Sequence, residues 1–184
     1  MAVLKIEGLE LSLFLDKLSG VVDFDKDLPK NIYFAENLSF WFFERPLLDF
    51  HELFLGLISE SLCSFESDVF IKFSGGEQLA GSCFSIGGSD AGKDACWITK
   101  GFEDFFKGTV GYPIIICNGR FDWLAYESAN EEYGVIALRG VDRKTRLYNY
   151  LNANFISLDE LAELEAGSLA ESVIAKALIS SYRR

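Results

Sequence analysis

Apolar residues recur along the chain with helical spacing in some segments and with strand spacing in others. Four apolar positions that begin at Leu11 follow i, i+3, i+4 and i+7, which predicts a first helix ending near Gly20. A second apolar stripe, over 50–58, accompanies Asp49 and Glu52, whose spacing resembles a capping box at a helix start. Both segments are therefore predicted to be amphipathic helices.

Three further helices are predicted toward the C-terminus. Thr99 can cap a short helix that carries three phenylalanines and that Gly108 would close. Two Ser-x-x-Glu boxes begin at Ser157 and Ser168, on either side of Gly167. They predict a short helix, a tight break and a C-terminal helix with apolar residues turned inward.

Strand signals lie between these helices. Residues that favour strands cluster over 31–43 on both sides of Glu36 and Asn37, which predicts a hairpin or two short strands. Five more strands are predicted, over 69–73, 83–86, 113–117, 121–126 and 133–138. The polar residues 128–132 join the last two of these in a predicted β-hairpin.

The order of these elements favours an α+β fold. Parallel βαβ units need a regular alternation of strand and helix, and the chain does not show one. We therefore expect a mixed, mostly antiparallel sheet with helices packed on it. No repeat or compositional break divides the chain, so residues 1–184 are predicted to form a single compact domain.

The charge of the chain is strongly negative. Asp and Glu number 28 against 17 Lys and Arg, for a net charge of −11 at pH 7. Such a field repels phosphate backbones, so no nucleic-acid partner is expected. The surplus is concentrated in residues 1–66, where 12 acids accompany 5 bases. Apolar residues make up 49% of the chain and the mean hydropathy is +0.16, which the predicted core accounts for.

Neither a secretory signal pattern nor an apolar run long enough for a membrane span is visible, so we expect a cytoplasmic protein without membrane contact. The four cysteines lack the C-x-x-C spacing of zinc and redox sites, and all four are predicted to be buried thiols: Cys63, Cys83, Cys96 and Cys117. No metal and no cofactor are expected.

The stretch Gly87–Lys93 matches the G-x-x-x-x-G-K pattern of phosphate-binding loops. Asp94 stands where such a loop carries the Ser or Thr that binds Mg²⁺, and its carboxylate would repel phosphates. Trp97 and Gly101 are expected to interrupt the long helix that should follow. The stretch is interpreted as a surface loop, which makes a nucleotide-binding enzyme the least favoured alternative.

Acid–base chemistry has few candidates. His51 is the sole histidine, so a catalytic triad could be assembled only through it, and no G-x-S-x-G elbow is present. Among 28 acids some pair of carboxylates will always be close in space, so that signal carries little weight. We therefore expect no catalytic residue and interpret the protein as non-enzymatic.

Acidic and aromatic residues supply the candidate binding surface. Three aspartates fall within five positions, and two glutamates lie in the loop of the predicted hairpin. Such runs are usually solvated, but they also speed the capture of a basic partner. Trp and Tyr combine an apolar face with a polar tip, as interface hot spots do. The candidate partner-binding residues are Asp23, Asp25, Asp27, Trp123, Tyr126, Glu131, Glu132 and Tyr133.

The segment Phe121–Glu127, followed by a polar turn and Tyr133–Leu138, resembles a pattern that recurs in bacterial immunity proteins. In that family an aromatic strand with Trp and Tyr often pairs with a strand carrying a small residue and an aliphatic run. The resemblance implies a small cytosolic antidote that binds a polymorphic, contact-dependent or bacteriocin-type toxin and blocks an essential surface. It also implies that an acidic member binds a basic toxin, such as a nuclease, whose phosphate ligands its carboxylates mimic.

The sequence therefore predicts a non-enzymatic, acidic binding protein that neutralises a cognate basic toxin domain. An adaptor or regulatory module of a cellular complex would use the same surface and stays open as an alternative. Only the identity of the partner separates these two hypotheses.

Overall fold

The computed structural model describes residues 3–88, 91–107, 111–140, 145–164 and 169–183. Its strands are β1 (Val3–Lys5), β2 (Leu38–Glu44), β3 (Val69–Lys72), β4 (Cys83–Ile86), β5 (Ile114–Asn118), β6 (Trp123–Glu127), β7 (Tyr133–Arg139) and β8 (Ile156–Ser157). Its α-helices are α1 (Gly8–Ser19), α2 (His51–Phe65), α3 (Ala91–Phe106), α4 (Arg146–Asn154), α5 (Leu158–Leu164) and α6 (Leu169–Tyr182). A short 3₁₀ turn, Leu47–Asp49, precedes α2.

The strands of the described ranges form one sheet in the order β1-β4-β3-β5-β6-β7-β2-β8. Each pair of neighbouring strands is antiparallel. The predicted α+β fold, with a mostly antiparallel sheet and helices packed on it, is therefore confirmed. Because β2 lies between β7 and β8, this strand from the first third of the chain is placed beside the C-terminal segment.

Apolar side chains cover both faces of the sheet. One face, which includes Ile71 and Trp123, packs against α2, α3 and α4. The other, which includes Cys117 and Tyr126, packs against α1, α5 and α6. Because successive side chains of a strand point to opposite faces, Trp123 and Tyr126 lie on opposite sides of the sheet. Burial on both faces also explains why β5 and β6 are almost continuously apolar.

Several predicted elements are confirmed with their local signals. The first helix buries Leu11, Phe14 and Leu18 and ends at Ser19, with Gly20 as its C-cap. The hairpin of β6 and β7 pairs Glu127 with Gly134 across the polar loop. The Ser157 capping box also forms, because the carboxylate of Glu160 accepts from the Ser157 N–H at 2.7 Å.

Other local predictions are wrong. The segment over 31–43 contributes one strand, β2, and Tyr33 makes only an isolated bridge with Val22. At α2 the N-cap is Phe50, without a side-chain cap, because Asp49 belongs to the 3₁₀ turn. Thr99 lies inside α3, where its hydroxyl donates to the Ala95 carbonyl.

The C-terminal part of the chain was only partly predictable. The sequence prediction omitted α4, which Thr145 caps by accepting from the Tyr148 N–H at 3.2 Å. The predicted helix end at Gly108 lies outside the described residues. So do the predicted break at Gly167 and the capping box that would begin at Ser168.

Two of the four predicted buried thiols are at the surface. Cys83 and Cys117 are fully buried, whereas Cys63 and Cys96 are exposed, and all four are free thiols. Within the described ranges, no helix is both long and apolar enough to cross a membrane.

Candidate functional site

A groove of about 550 Å³ opens where the end of β2 and the start of β7 face α5 and α6. Its floor is apolar, and Phe43, Leu161 and Leu178 there are each less than a tenth exposed. Its walls carry aliphatic side chains that water reaches: Leu164 is 42% exposed and Ile174 is 43% exposed. We call this site the acidic groove because of the charges on its rim.

The rim of the acidic groove is set by the pairing of β2 with β7. Glu44 lies directly opposite Tyr133 in that register, and Glu132 precedes Tyr133 in the chain. Both glutamates are exposed and line the groove. Of the described residues that line it, Arg45 alone is basic, and its guanidinium donates to the Ser128 carbonyl at 2.5 Å. The rim therefore presents a surplus of negative charge above an apolar floor.

Asp27 ties the acidic turn of the N-terminal third to the hairpin beside the groove. Its carboxylate accepts from the hydroxyls of Tyr126 at 3.1 Å and Ser128 at 2.9 Å. It also accepts from the side-chain amide of Asn130 at 2.9 Å and from the Leu28 N–H at 2.8 Å. Two acidic segments that are far apart in sequence are thus joined into one surface.

Ser128 shapes the hairpin loop from inside. Its hydroxyl oxygen accepts from the backbone N–H groups of Asn130 and Glu131, each at 3.0 Å, while the hydroxyl donates to Asp27. An Asx- or Ser-type turn of this kind fixes a short loop without regular secondary structure. The backbone of the loop that carries Glu131 and Glu132 is therefore held in place by these hydrogen bonds.

The pKa of Tyr133 reflects the negative potential of this region. Burial, followed by the nearby charges of Glu131 and Asp27, raises the pKa of Tyr133 to about 12. Both carboxylates act in the same direction because a phenolate beside them would be repelled. A cationic group placed near the Tyr133 hydroxyl would meet the opposite, attractive field.

Buried Glu127 stabilises the segment after β2, next to the rim of the acidic groove. It is 6% exposed, and its carboxylate accepts from the Leu47 N–H at 2.9 Å. Burial raises the pKa of Glu127 to about 7, although the Leu47 N–H and the charge of Arg45 lower it. Together with the contact from Arg45 to Ser128, this bond fastens the segment after β2 to the hairpin.

Two of the predicted aromatic contact residues belong to the core, which corrects the sequence prediction. Trp123 is 1% exposed and its indole N–H donates to the buried Ser61 hydroxyl at 2.6 Å. Tyr126 is 2% exposed and donates to Asp27. Both polar tips are satisfied inside the protein, so neither side chain is available at a surface. Tyr133, by contrast, is half-buried and lines the acidic groove.

The three predicted aspartates have different environments. Asp23 forms an ion pair with Lys26 at 2.7 Å, and its carboxylate also accepts from the Asp25 N–H. Asp25 is exposed, whereas Asp27 is committed to the hairpin. Of the three, Asp25 retains the solvated charge that a partner could meet directly.

The Gly87–Lys93 stretch, interpreted from the sequence as a surface loop, is a loop only in part: it follows β4, its residues 91–93 begin α3, and its residues 89 and 90 are outside the described ranges. The predicted interruption of the following helix is wrong, because α3 continues through Trp97 and Gly101. The Asp68 carboxylate packs against Gly87 so closely that a Cβ there would clash with it. Asp68 thus borders the start of this stretch, and a second acid, Asp94, which is 1% exposed, follows its end.

A larger groove, of about 850 Å³, follows the outer edge of β2. There the indole N–H of Trp41 donates to the Asn152 side chain at 3.0 Å, and Arg183 lies 3.7 Å from Asp159. It contains none of the predicted binding residues and mixes both signs of charge. The acidic groove is therefore the stronger candidate for a site that recognises a basic partner.

Within the described part of the chain, no three residues of the His, Cys, Asp and Glu types are grouped so as to hold a metal ion. Comparisons of the chain with protein-family models, with curated proteins and with solved structures found no match.

Proposed function

We propose that this protein is a non-enzymatic binding protein whose acidic groove takes up a basic, amphipathic segment of a partner protein. The observation that carries the proposal is the rim of Glu44 and Glu132 above exposed aliphatic walls. An amphipathic segment would place apolar side chains on the groove floor and its Lys or Arg side chains against the rim.

Charge and apolar area have separate roles in such a complex. Burial of the exposed parts of Leu164 and Ile174 would supply the stabilising, non-directional part of the binding free energy. The carboxylates would speed association and fix the orientation of the segment, since complementary charge acts mainly on encounter and specificity. Asp25 and Glu131, on neighbouring turns, extend the negative surface beyond the groove.

The partner that we propose is a basic toxin domain, and the protein would be its cytoplasmic immunity protein in a bacterium. The resemblance of the β6–β7 hairpin to immunity proteins supports this choice, as does the net charge of −11. The alternative is an adaptor module in a cellular complex, which would bind a basic segment through the same groove.

Co-expression with the product of the gene immediately upstream tests the proposal. We expect that product to stop growth when expressed alone and the full-length protein to restore growth. The variant Glu44→Lys/Glu132→Lys should lose protection, and its affinity for the purified toxin should fall by at least ~10-fold. The matched control, Glu10→Lys/Glu103→Lys, reverses two exposed charges on α1 and α3 and should protect fully.

Two results would contradict the proposal. An upstream product that is harmless alone, or toxic but not rescued, would remove the toxin as partner and favour the adaptor function. Full protection by a folded Glu44→Lys/Glu132→Lys variant would show that the acidic groove is not the binding site. Circular dichroism of both double variants confirms that each comparison is made between folded proteins.

A further inference from the structure

The sole histidine of the chain lies beside an exposed cysteine from another helix. Nε2 of His51 is 3.8 Å from Sγ of Cys96, although 45 residues separate them in sequence. His51 is the first residue of α2 and Cys96 belongs to α3, and these two helices pack together on the same face of the sheet. Both side chains are exposed, so small molecules in solution can reach the pair.

This arrangement has the two parts that thiol chemistry needs. The nucleophilic form of a cysteine is the thiolate, and a neighbouring base makes it by accepting the thiol proton. With its own proton on Nδ1, the His51 ring presents Nε2 as that acceptor. At 3.8 Å from sulfur, Nε2 is within reach of the S–H group.

Lysine side chains of α3 lie about one helical turn on either side of Cys96. Lys93 and Lys100 lie three residues before and four residues after Cys96, on the same side of α3, and both are exposed. On α2 the nearest acid in sequence is Glu52, next to His51. The charge of Lys100 would attract an anionic disulfide such as oxidised glutathione.

The other three cysteines provide an internal comparison. Burial raises the pKa of Cys83 to about 12 and the pKa of Cys117 well above the ordinary thiol value, so both stay protonated and inaccessible. Cys63 is exposed like Cys96, but the chain has no second histidine to accept its proton. Arg146 lies near Cys63, but its guanidinium is already paired with Glu60 at 2.8 Å.

We propose that Cys96 is a modification site that forms mixed disulfides with low-molecular-weight disulfides, with His51 as its proton acceptor. The Cys96 thiol proton moves to Nε2, and the thiolate attacks one sulfur of the disulfide. A new bond joins Sγ to that sulfur, the original S–S bond breaks, and the leaving thiolate takes the proton from the imidazolium. Cys96 is oxidised and the departing half of the reagent is reduced to a thiol.

This site is independent of the acidic groove. The groove lies against α5 and α6, which pack on the opposite face of the sheet from α2 and α3. Loss of the proposed partner-binding function would therefore leave the chemistry of Cys96 unchanged, and the two proposals fail separately.

The test uses oxidised glutathione and full-length variants that keep one exposed thiol each. Cys63→Ser retains Cys96, Cys96→Ser retains Cys63, and intact-mass spectrometry follows the appearance of the mixed disulfide. We expect Cys63→Ser to react about tenfold faster than Cys96→Ser. Adding His51→Asn to Cys63→Ser should remove most of that difference, because it removes the proton acceptor.

Peptide mapping of the unaltered chain makes the same comparison without any substitution, since Cys96 and Cys63 then compete for one reagent. The melting temperature of His51→Asn confirms that the exposed substitution leaves the fold intact. Equal rates at Cys96 and Cys63 in the unaltered chain would overturn the proposal. So would an unchanged Cys96 rate in a folded His51→Asn variant.

Discussion

Substitution of Glu127 by Gln tests how the rim of the acidic groove is held together. Glu127 is nearly fully buried at the end of β6, where its carboxylate accepts from the Leu47 N–H at 2.9 Å. Glutamine keeps the size of the side chain and an oxygen that can accept from Leu47. It removes the charge, so the variant measures the free energy by which ionisation of Glu127 destabilises the folded state.

The magnitude follows from the pKa of Glu127, which burial raises from 4.5 to about 7 in the folded protein. A difference of one pKa unit corresponds to about 1.4 kcal/mol, so full ionisation of Glu127 costs the folded state roughly 3 kcal/mol. The folded pKa lies above the unfolded one, and the acid is therefore penalised when it is charged. This cost is absent below pH 4.5, grows as pH rises from 4.5 to 7, and is complete above pH 7.

Urea unfolding at several pH values between 4 and 8 measures this effect, with the fluorescence of buried Trp41 and Trp123 as the signal. We expect the free energy of unfolding of Glu127→Gln, taken relative to that of the unaltered protein, to rise by about 3 kcal/mol as the pH increases from 4 to 8. Glu132→Gln removes a charge from the exposed end of the same hairpin and controls for net charge. A difference between Glu127→Gln and the unaltered protein that stays constant across this range would refute the reasoning.

Two further substitutions address residues that the sequence assigned to a surface. Trp123→Phe removes the indole N–H that donates to Ser61, so we expect the free energy of unfolding in urea to fall by about 1–3 kcal/mol. An unchanged unfolding free energy would contradict a structural role for that bond. Asp27→Asn weakens the four hydrogen bonds that join the acidic turn to the hairpin, and we expect a similar loss of about 1–3 kcal/mol in the same assay. The exposed Asp25→Asn should change it by less than ~0.5 kcal/mol, and equal losses at both positions would refute the distinction.

Sequence reasoning succeeded where the interacting residues are close along the chain. The β6–β7 hairpin needs only two apolar runs and the polar loop between them, and its register follows from the loop. The Ser157 capping box likewise depends on two residues three positions apart. By contrast, the partner of β2 is β7, far along the chain, and no local pattern in 31–43 indicates that pairing.

The sequence could not show which strand faces are covered. Lys72 alternates with Ile71 and Phe73, as a solvent-facing residue would, yet it is fully buried. Its ammonium donates to the hydroxyls of Ser74 and Ser82 and to the Glu77 carbonyl. The alternation predicts a strand correctly, but only the packing of helices on both faces determines that a polar residue is enclosed.

The same reason explains why two predicted site residues are buried and a third is accessible. An aromatic residue with a polar tip can serve a surface or a core, and the sequence does not show whether an internal partner exists. Trp123 finds Ser61 and Tyr126 finds Asp27, so both are core residues. Tyr133, at the first position of β7, stays half-buried where the sheet meets the groove.

The acids of the groove region fall into two classes with different consequences for binding. Asp27 and Glu127 accept hydrogen bonds from the protein itself, so their removal changes the position of the hairpin or of the segment after β2. Glu44 and Glu132 are exposed and direct their charge to solvent, so reversing them changes the potential and leaves the fold in place. The shape of the acidic groove therefore depends on the first class and its preference for a basic partner on the second. A variant of Glu44 and Glu132 that loses binding at unchanged stability would thus show that these charges act in recognition. A variant of Asp27 that loses binding would instead show the effect of a disturbed fold.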